Sequence, residues 1–181
     1  MPLPPATITP TVVIEPADPG WSLDRLHVTD LTLGYRHEER TEGGLDGFAL
    51  RVVWGEPDSG LEIEWMPSGA WGADGLGNFE MSLGLRYAVN KAGHVRPFAV
   101  IAPVASFVRP SSDAMDTFEV GANAGLGVDI DLPAPGVLSF DVRAGQTLAT
   151  DTLEASGWQV MATASIGLHV PRAIQRTPAG R

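Results

Sequence analysis

The residues in this chain that could do chemistry are few and scattered. Its four histidines are His27, His37, His94 and His169. None stands at metal-ligand spacing from another, and no HExxH or comparable motif occurs. They read as solvated side chains of loops or of a lumen, and neither a metal nor a cofactor is expected. Two carboxylate pairs, Glu62/Glu64 and Asp129/Asp131, are spaced i, i+2. On a strand that spacing puts both side chains on one face, roughly 7 Å apart. General acid–base work is one use for such a pair, and pairing with arginine is the stronger reading. The run Arg36-His37-Glu38-Glu39-Arg40 is a charge cluster at a strand end, read as a wetted loop open to anionic lipid headgroups. Gly121, Gly125 and Gly127 lack phosphate-loop spacing, and no helix follows them. No serine, histidine and carboxylate assemble into a set without free choice. No catalytic residue is assigned, and an enzyme is not expected.

Whatever these residues do, strands must position them. From Phe79 to Tyr87 every odd position is apolar and every even one is charged, small or polar. From Phe118 to Leu132 the same rhythm sets Phe118, Val120, Leu126 and Ile130 against Glu119, Gly121, Asn123 and Asp129. Successive strand side chains point to opposite faces, so each segment has one apolar face and one polar face. About eight such segments occur, near 26–38, 47–55, 60–66, 78–90, 95–108, 118–132, 137–148 and 156–170, the smallest usual number for a closed membrane barrel. The fifth is ambiguous. Phe98, Val100, Ala102 and Val104 fit the apolar face, but Ile101 and Phe107 fall on the other phase, and Pro97 and Pro103 weaken the strand. No helical period persists. The fold class expected is all-β, a single antiparallel up-and-down barrel with meander topology.

The gaps between segments alternate. Long connections are expected near 37–46, 67–77, 109–117 and 149–155, and short turns at 56–60, 91–94 and 133–136. Antiparallel strands joined in sequence place successive connections at opposite ends. The longer end would carry Trp71 and the acids Glu42, Asp46, Asp74, Asp113 and Asp116, where any surface ligand would bind. Residues 1–25 read as a proline-rich leader, 26–170 as the barrel and 171–181 as a polar tail. The first twenty residues show no basic start and apolar core of the export-signal kind.

The chain has 181 residues and a formal net charge of −10. That balance, without a basic patch, argues against nucleic-acid binding. With no cysteine there are no disulfides and no thiolate metal sites. Mean hydropathy is +0.04, a value that membrane barrels share with soluble proteins because half of each strand is polar.

Orientation decides function. Arg36, Arg51, Glu62, Glu64, Glu80, Arg86, Glu119, Asp141 and Arg143 share the polar face. So do Gly34, Gly84, Gly121, Gly125, Gly127, Gly145 and Gly167. A solvated face gains nothing from so many glycines, whereas a cramped lumen needs small residues beside long charged ones. On the apolar face Leu83, Leu126, Val142, Val160 and Ile166 would meet lipid. Phe48, Trp54, Trp65, Phe79, Tyr87, Phe118 and Trp158 lie near strand ends, as in the aromatic girdles of membrane barrels.

On this architecture, and on the segment Val95-Arg96-Pro97-Phe98 with its Arg-Pro-aromatic strand start, residues 26–170 resemble the small outer-membrane β-barrels, the group of the OmpA transmembrane domain, OmpX and OmpW. One departure is that members end on an aromatic residue, and this chain ends in Arg181. The resemblance implies a bacterial outer-membrane protein surrounded by membrane lipid, a monomer with a structural or surface-interaction role. Its lumen would be too narrow for a general porin. A soluble lipocalin-type barrel with an apolar ligand cavity is the alternative, and a lipid-modifying barrel enzyme the second.

Overall fold

The computed structural model describes residues 26–41, 43–56, 59–72, 75–90, 93–109, 116–151 and 157–170. The expected leader and tail lie outside the described residues. The strands are β1 (His27–Arg40), β2 (Gly43–Gly55), β3 (Leu61–Trp71), β4 (Gly77–Ala88), β5 (Val95–Arg109), β6 (Thr117–Asp131), β7 (Gly136–Thr150) and β8 (Trp158–His169). Each pairs antiparallel with the next, and β8 pairs with β1, closing a barrel in sequence order. Closure satisfies both ladder edges of every strand. The all-β meander expected from the alternation is the fold observed.

The alternation sets which way each side chain points. On β4 buried and exposed residues alternate without a break from Asn78 to Ala88. The buried members are polar or small, and the exposed ones are Phe79, Met81, Leu83, Leu85 and Tyr87. This inverts a soluble core, with arginines inside and leucines outside.

Three expectations need correction. The strands β1 and β2 run through most of the supposed loop at 37–46, to Arg40 and from Gly43. Charge misled the reading: Glu38 and Arg40 turn into the barrel and pair there at 2.9 Å. Strand β3 continues past Pro67 to Trp71, so Trp71 ends a wall strand and is not in a loop. A proline lacks the N–H for one ladder bond, and the β2–β3 register skips from Ala49–Ser68 to Val52–Trp65 there. On β5, Phe98, Val100, Ala102 and Val104 face inward with Arg96 and Ser106, while Ile101 and Phe107 face outward. Pro103 leaves a similar gap, between Ser82–Val104 and Leu85–Ile101. The ladder survives both prolines because the other neighbouring strand holds register.

Connections after β1, β3, β5 and β7 fall at the end away from the termini, and those after β2, β4 and β6 at the terminal end. Glu42, Asp74 and Asp113 lie outside the described residues.

Candidate functional site: the ionic lumen and the apolar wall

The inward face collects the charges. Arg36, Arg86 and Arg143 are among the largest fully buried side chains. A buried charge is costly unless it is paired and hydrogen-bonded, and here partners come both from two residues along the same strand and from strands far apart in sequence. Their contacts fall into two networks.

The upper network lies toward the end away from the termini. Arg36 Nη2 donates to Glu38 Oε2 at 2.6 Å and to Glu80 Oε2 at 3.0 Å, and Arg36 also donates to Ser68. Arg40 pairs with Glu38 and, at 2.8 Å, with Glu119. Gln159 Nε2 donates to Glu80 at 3.2 Å, and Thr147 Oγ1 to Glu119 at 3.2 Å. Leu45, Ala70, Leu76 and Val108 form a buried apolar cluster at this end.

The lower network is larger. Arg143 Nη1 lies 2.7 Å from Glu64 Oε1, and its Nε donates to Asp141 at 2.7 Å. Arg51 reaches the same Asp141 at 3.3 Å and hydrogen-bonds Ser139 and Ser165. Arg86 Nη1 donates to Glu62 at 2.6 Å, and its Nη2 to Asp129. Arg96 spans Asp30 at 3.3 Å and Asp131 at 3.0 Å. The Phe98 ring takes the Arg86 guanidinium at 3.9 Å from its centroid and that of Arg51 at 5.5 Å, a cation–π geometry. Glycine makes the room. A Cβ on Gly127 would stand 2.3 Å from the Phe98 ring, and one on Gly125 would stand 2.6 Å from Arg143 Cγ.

Between the networks lies an apolar layer of Ala49, Met66 and Met161. Strand order shows why. Inward residues on β3 run Glu62, Glu64, Met66, Ser68, and on β8 they run Gln159, Met161, Thr163, Ser165.

All nine residues assigned to the polar face by sequence stand in these networks. Asp129 and Asp131, read from sequence as a carboxylate pair facing arginine, meet Arg86 and Arg96, while the sequence reading missed Asp30, Glu38, Arg40 and Arg96. Glu38 and Arg40 were lost to the supposed loop. Arg96 shares the phase of Phe98, and that phase was left open. A two-residue period carried through Arg40 and Arg96 would have found all three.

The outward face is apolar. Leu83, Leu126, Val142, Val160 and Ile166 all point out, Leu126 with 71% exposure. Phe48, Trp54, Trp65, Phe79, Tyr87, Phe118 and Trp158 also face outward, but Trp65 is not at a strand end: β3 runs on to Trp71, which leaves Trp65 mid-strand beside Leu83. Trp71 and Phe107 join this set. The Trp71 ring stands 5.8 Å from Phe48, and Phe107 stands 5.1 Å from Phe118. Phe79–Phe107 and Phe107–Phe118 are direct cross-strand partners, so these aromatics run as one ridge near the upper rim.

Among the described residues, no group of histidines and acids could hold a metal ion. A lipocalin-type cavity would need an apolar interior, and this interior is ionic.

No protein-family model matches the chain, and no curated protein matches it in sequence. Solved structures do match in shape. Neisserial surface protein A superposes with a TM-score of 0.60 at 12% identity, over 80% of this chain and 99% of its own. The attachment invasion locus protein Ail of Yersinia pestis, solved with the heparin analogue sucrose octasulfate, gives 0.56 at 10% identity, over 79% and 98%. The outer membrane protein OprG of Pseudomonas aeruginosa gives 0.53 at 11%, over 78% and 96%. The chain therefore has the fold of the small outer-membrane β-barrels.

Proposed function

We propose that the chain is an integral barrel of a bacterial outer membrane, non-enzymatic, with a structural or surface-interaction role. One observation carries this reading: the inversion of the wall. Arg36 and Glu80 are fully buried while Leu126, Ile101 and Ile166 are 60–71% exposed. A wall of that polarity is stable in hydrocarbon, and in water it would expose a continuous apolar belt. The aromatics near strand ends suit the two interfaces, and the closed ladder satisfies the backbone without water. The end away from the termini would face outward and the terminal end the periplasm, as in barrels of this topology.

The lumen supports a plug and not a channel. Eight strands leave an interior just wide enough for side chains, and long Arg and Glu side chains fill it. The polyanion bound to Ail does not transfer readily to this chain. The net charge is −10, and among the described residues Arg109 alone of the arginines is exposed, paired with Asp116 at 3.2 Å. A monomer is the simplest assembly for a barrel with no open edge.

Membrane fractionation tests the reading. Expressed with an export signal, the protein should stay with membranes through salt and alkaline carbonate washes and leave only with detergent. A freely soluble monomer in the periplasmic extract would refute it.

A further inference from the structure

We propose that the outward wall from β2 across β1, β8 and β7 to β6 holds a lipid whose headgroup carries a primary ammonium group, an inference that rests on the membrane placement above. Strand alternation splits the run Arg36-His37-Glu38-Glu39-Arg40. Its arginines and Glu38 turn into the lumen, while His37 and Glu39 stay outside. Asp46 joins them from β2, also outward. The side chains of His37, Glu39 and Asp46 are 42%, 54% and 62% exposed. The pair His37–Asp46 stands one step beyond Tyr35–Phe48 toward the upper rim, the level at which a headgroup would lie.

The cluster is organised. His37 Nδ1 lies 2.7 Å from Asp46 Oδ1, and Nε2 lies 3.2 Å from Glu39 Oε1. The Tyr35 hydroxyl donates to the same Asp46 oxygen. One imidazole thus holds two carboxylates in place. These contacts use only Oδ1 of Asp46 and Oε1 of Glu39, so each carboxylate keeps a second oxygen. With two acids to one histidine, the cluster is negative whether or not His37 is protonated.

Beside it runs an open groove of about 360 Å³, mostly apolar, with Tyr35 and His37 on one bank and Leu126, Phe140 and Val142 on the other. Alanines form its floor. Ala162 is the cross-strand partner of His37, and Ala164 is that of Tyr35. The trough meets the cluster at His37, the one cluster residue that lines it, and an apolar trough beside an acidic cluster matches one acyl chain below a cationic headgroup. The sequence alone suggested an anionic headgroup for this run, and with the arginines turned inward the preferred charge reverses. A primary ammonium offers three N–H donors to the carboxylates, whereas a quaternary one offers none.

The test compares two lipids that differ only there. The protein is placed in nanodiscs containing equal amounts of ethanolamine- and choline-headgroup phospholipids with identical acyl chains. Retained lipid is then counted by native mass spectrometry. Ethanolamine adducts should exceed choline adducts about threefold or more, as charge-assisted hydrogen bonds require. In the double variant Asp46→Asn/Glu39→Gln the ratio should fall to about one. A ratio near one in the unaltered protein, or a preference that survives the double variant, overturns the site while leaving the membrane barrel intact. Failure to enter nanodiscs at all would overturn the membrane placement, and the lipid site with it.

Discussion

The two halves of the lumen solve one problem at different depths. In the lower network Arg143 and Asp141 are fully buried and share partners, since Glu64 and Asp141 each take contacts from both Arg51 and Arg143. In the upper network Arg40 and Glu119 keep 6% and 8% of their side-chain surface exposed. The desolvation cost of an orphaned charge grows with burial, so the same kind of change should be felt more at Arg143, or at the equally buried Arg36 above the methionine layer, than at Arg40 beside the upper mouth. Ion pairs of this sort gain little net stability over well-packed apolar residues, yet removing one partner alone is expensive.

The largest effect should come from Arg143→Met. It leaves Glu64 and Asp141 to share Arg51 alone in the closed interior and should cost about 3–5 kcal/mol, read as a lower urea midpoint in detergent. Arg40→Met, near the upper mouth, should cost about 1.5–3 kcal/mol, the scale of a lost hydrogen bond to a charged group. Equal costs for the two would erase the distinction by depth. Phe98→Leu keeps an apolar side chain and removes the ring between Arg51 and Arg86. It should cost about 1 kcal/mol, measured in the same titration.

The smallest effect concerns conduction. Two plugs in series mean that opening one leaves the other shut. The unaltered protein, Arg143→Met and Arg40→Met should all lack porin-like steps in planar bilayers. Stable nanosiemens openings from the pure unaltered protein would contradict the filled lumen, and openings from one variant alone would show that one network carries the whole seal.

The legible part of this molecule was the local part. Facing along β4, β6, β7 and β8 could be read from alternation, because a period of two is a property of neighbouring residues. Strand ends were harder. Inward charges at Glu38 and Arg40 look in sequence like a solvated loop, and only the closed barrel supplies the partners that bring them inside. Prolines hid the continuation of β3 and the phase of β5, since losing one ladder bond locally resembles the end of a strand. Pairing partners were out of reach for a different reason. Arg51 meets Asp141 across the lumen at a sequence separation of 90, set by how the whole sheet closes, which no local pattern encodes. The outward cluster of His37, Glu39 and Asp46 required both corrections at once, the extended β1 and the inward turn of its arginines.

The central claim is that the apolar face of this wall meets lipid. Nitroxide labels at Leu83, Leu126 and Val160, with the protein reconstituted in bilayers, test it directly through collision with oxygen and with a water-soluble nickel chelate. Lipid contact predicts high oxygen access, low nickel access and little motional restriction at all three positions. Dominant nickel access, or the immobilised spectrum of a packed protein core, would contradict it.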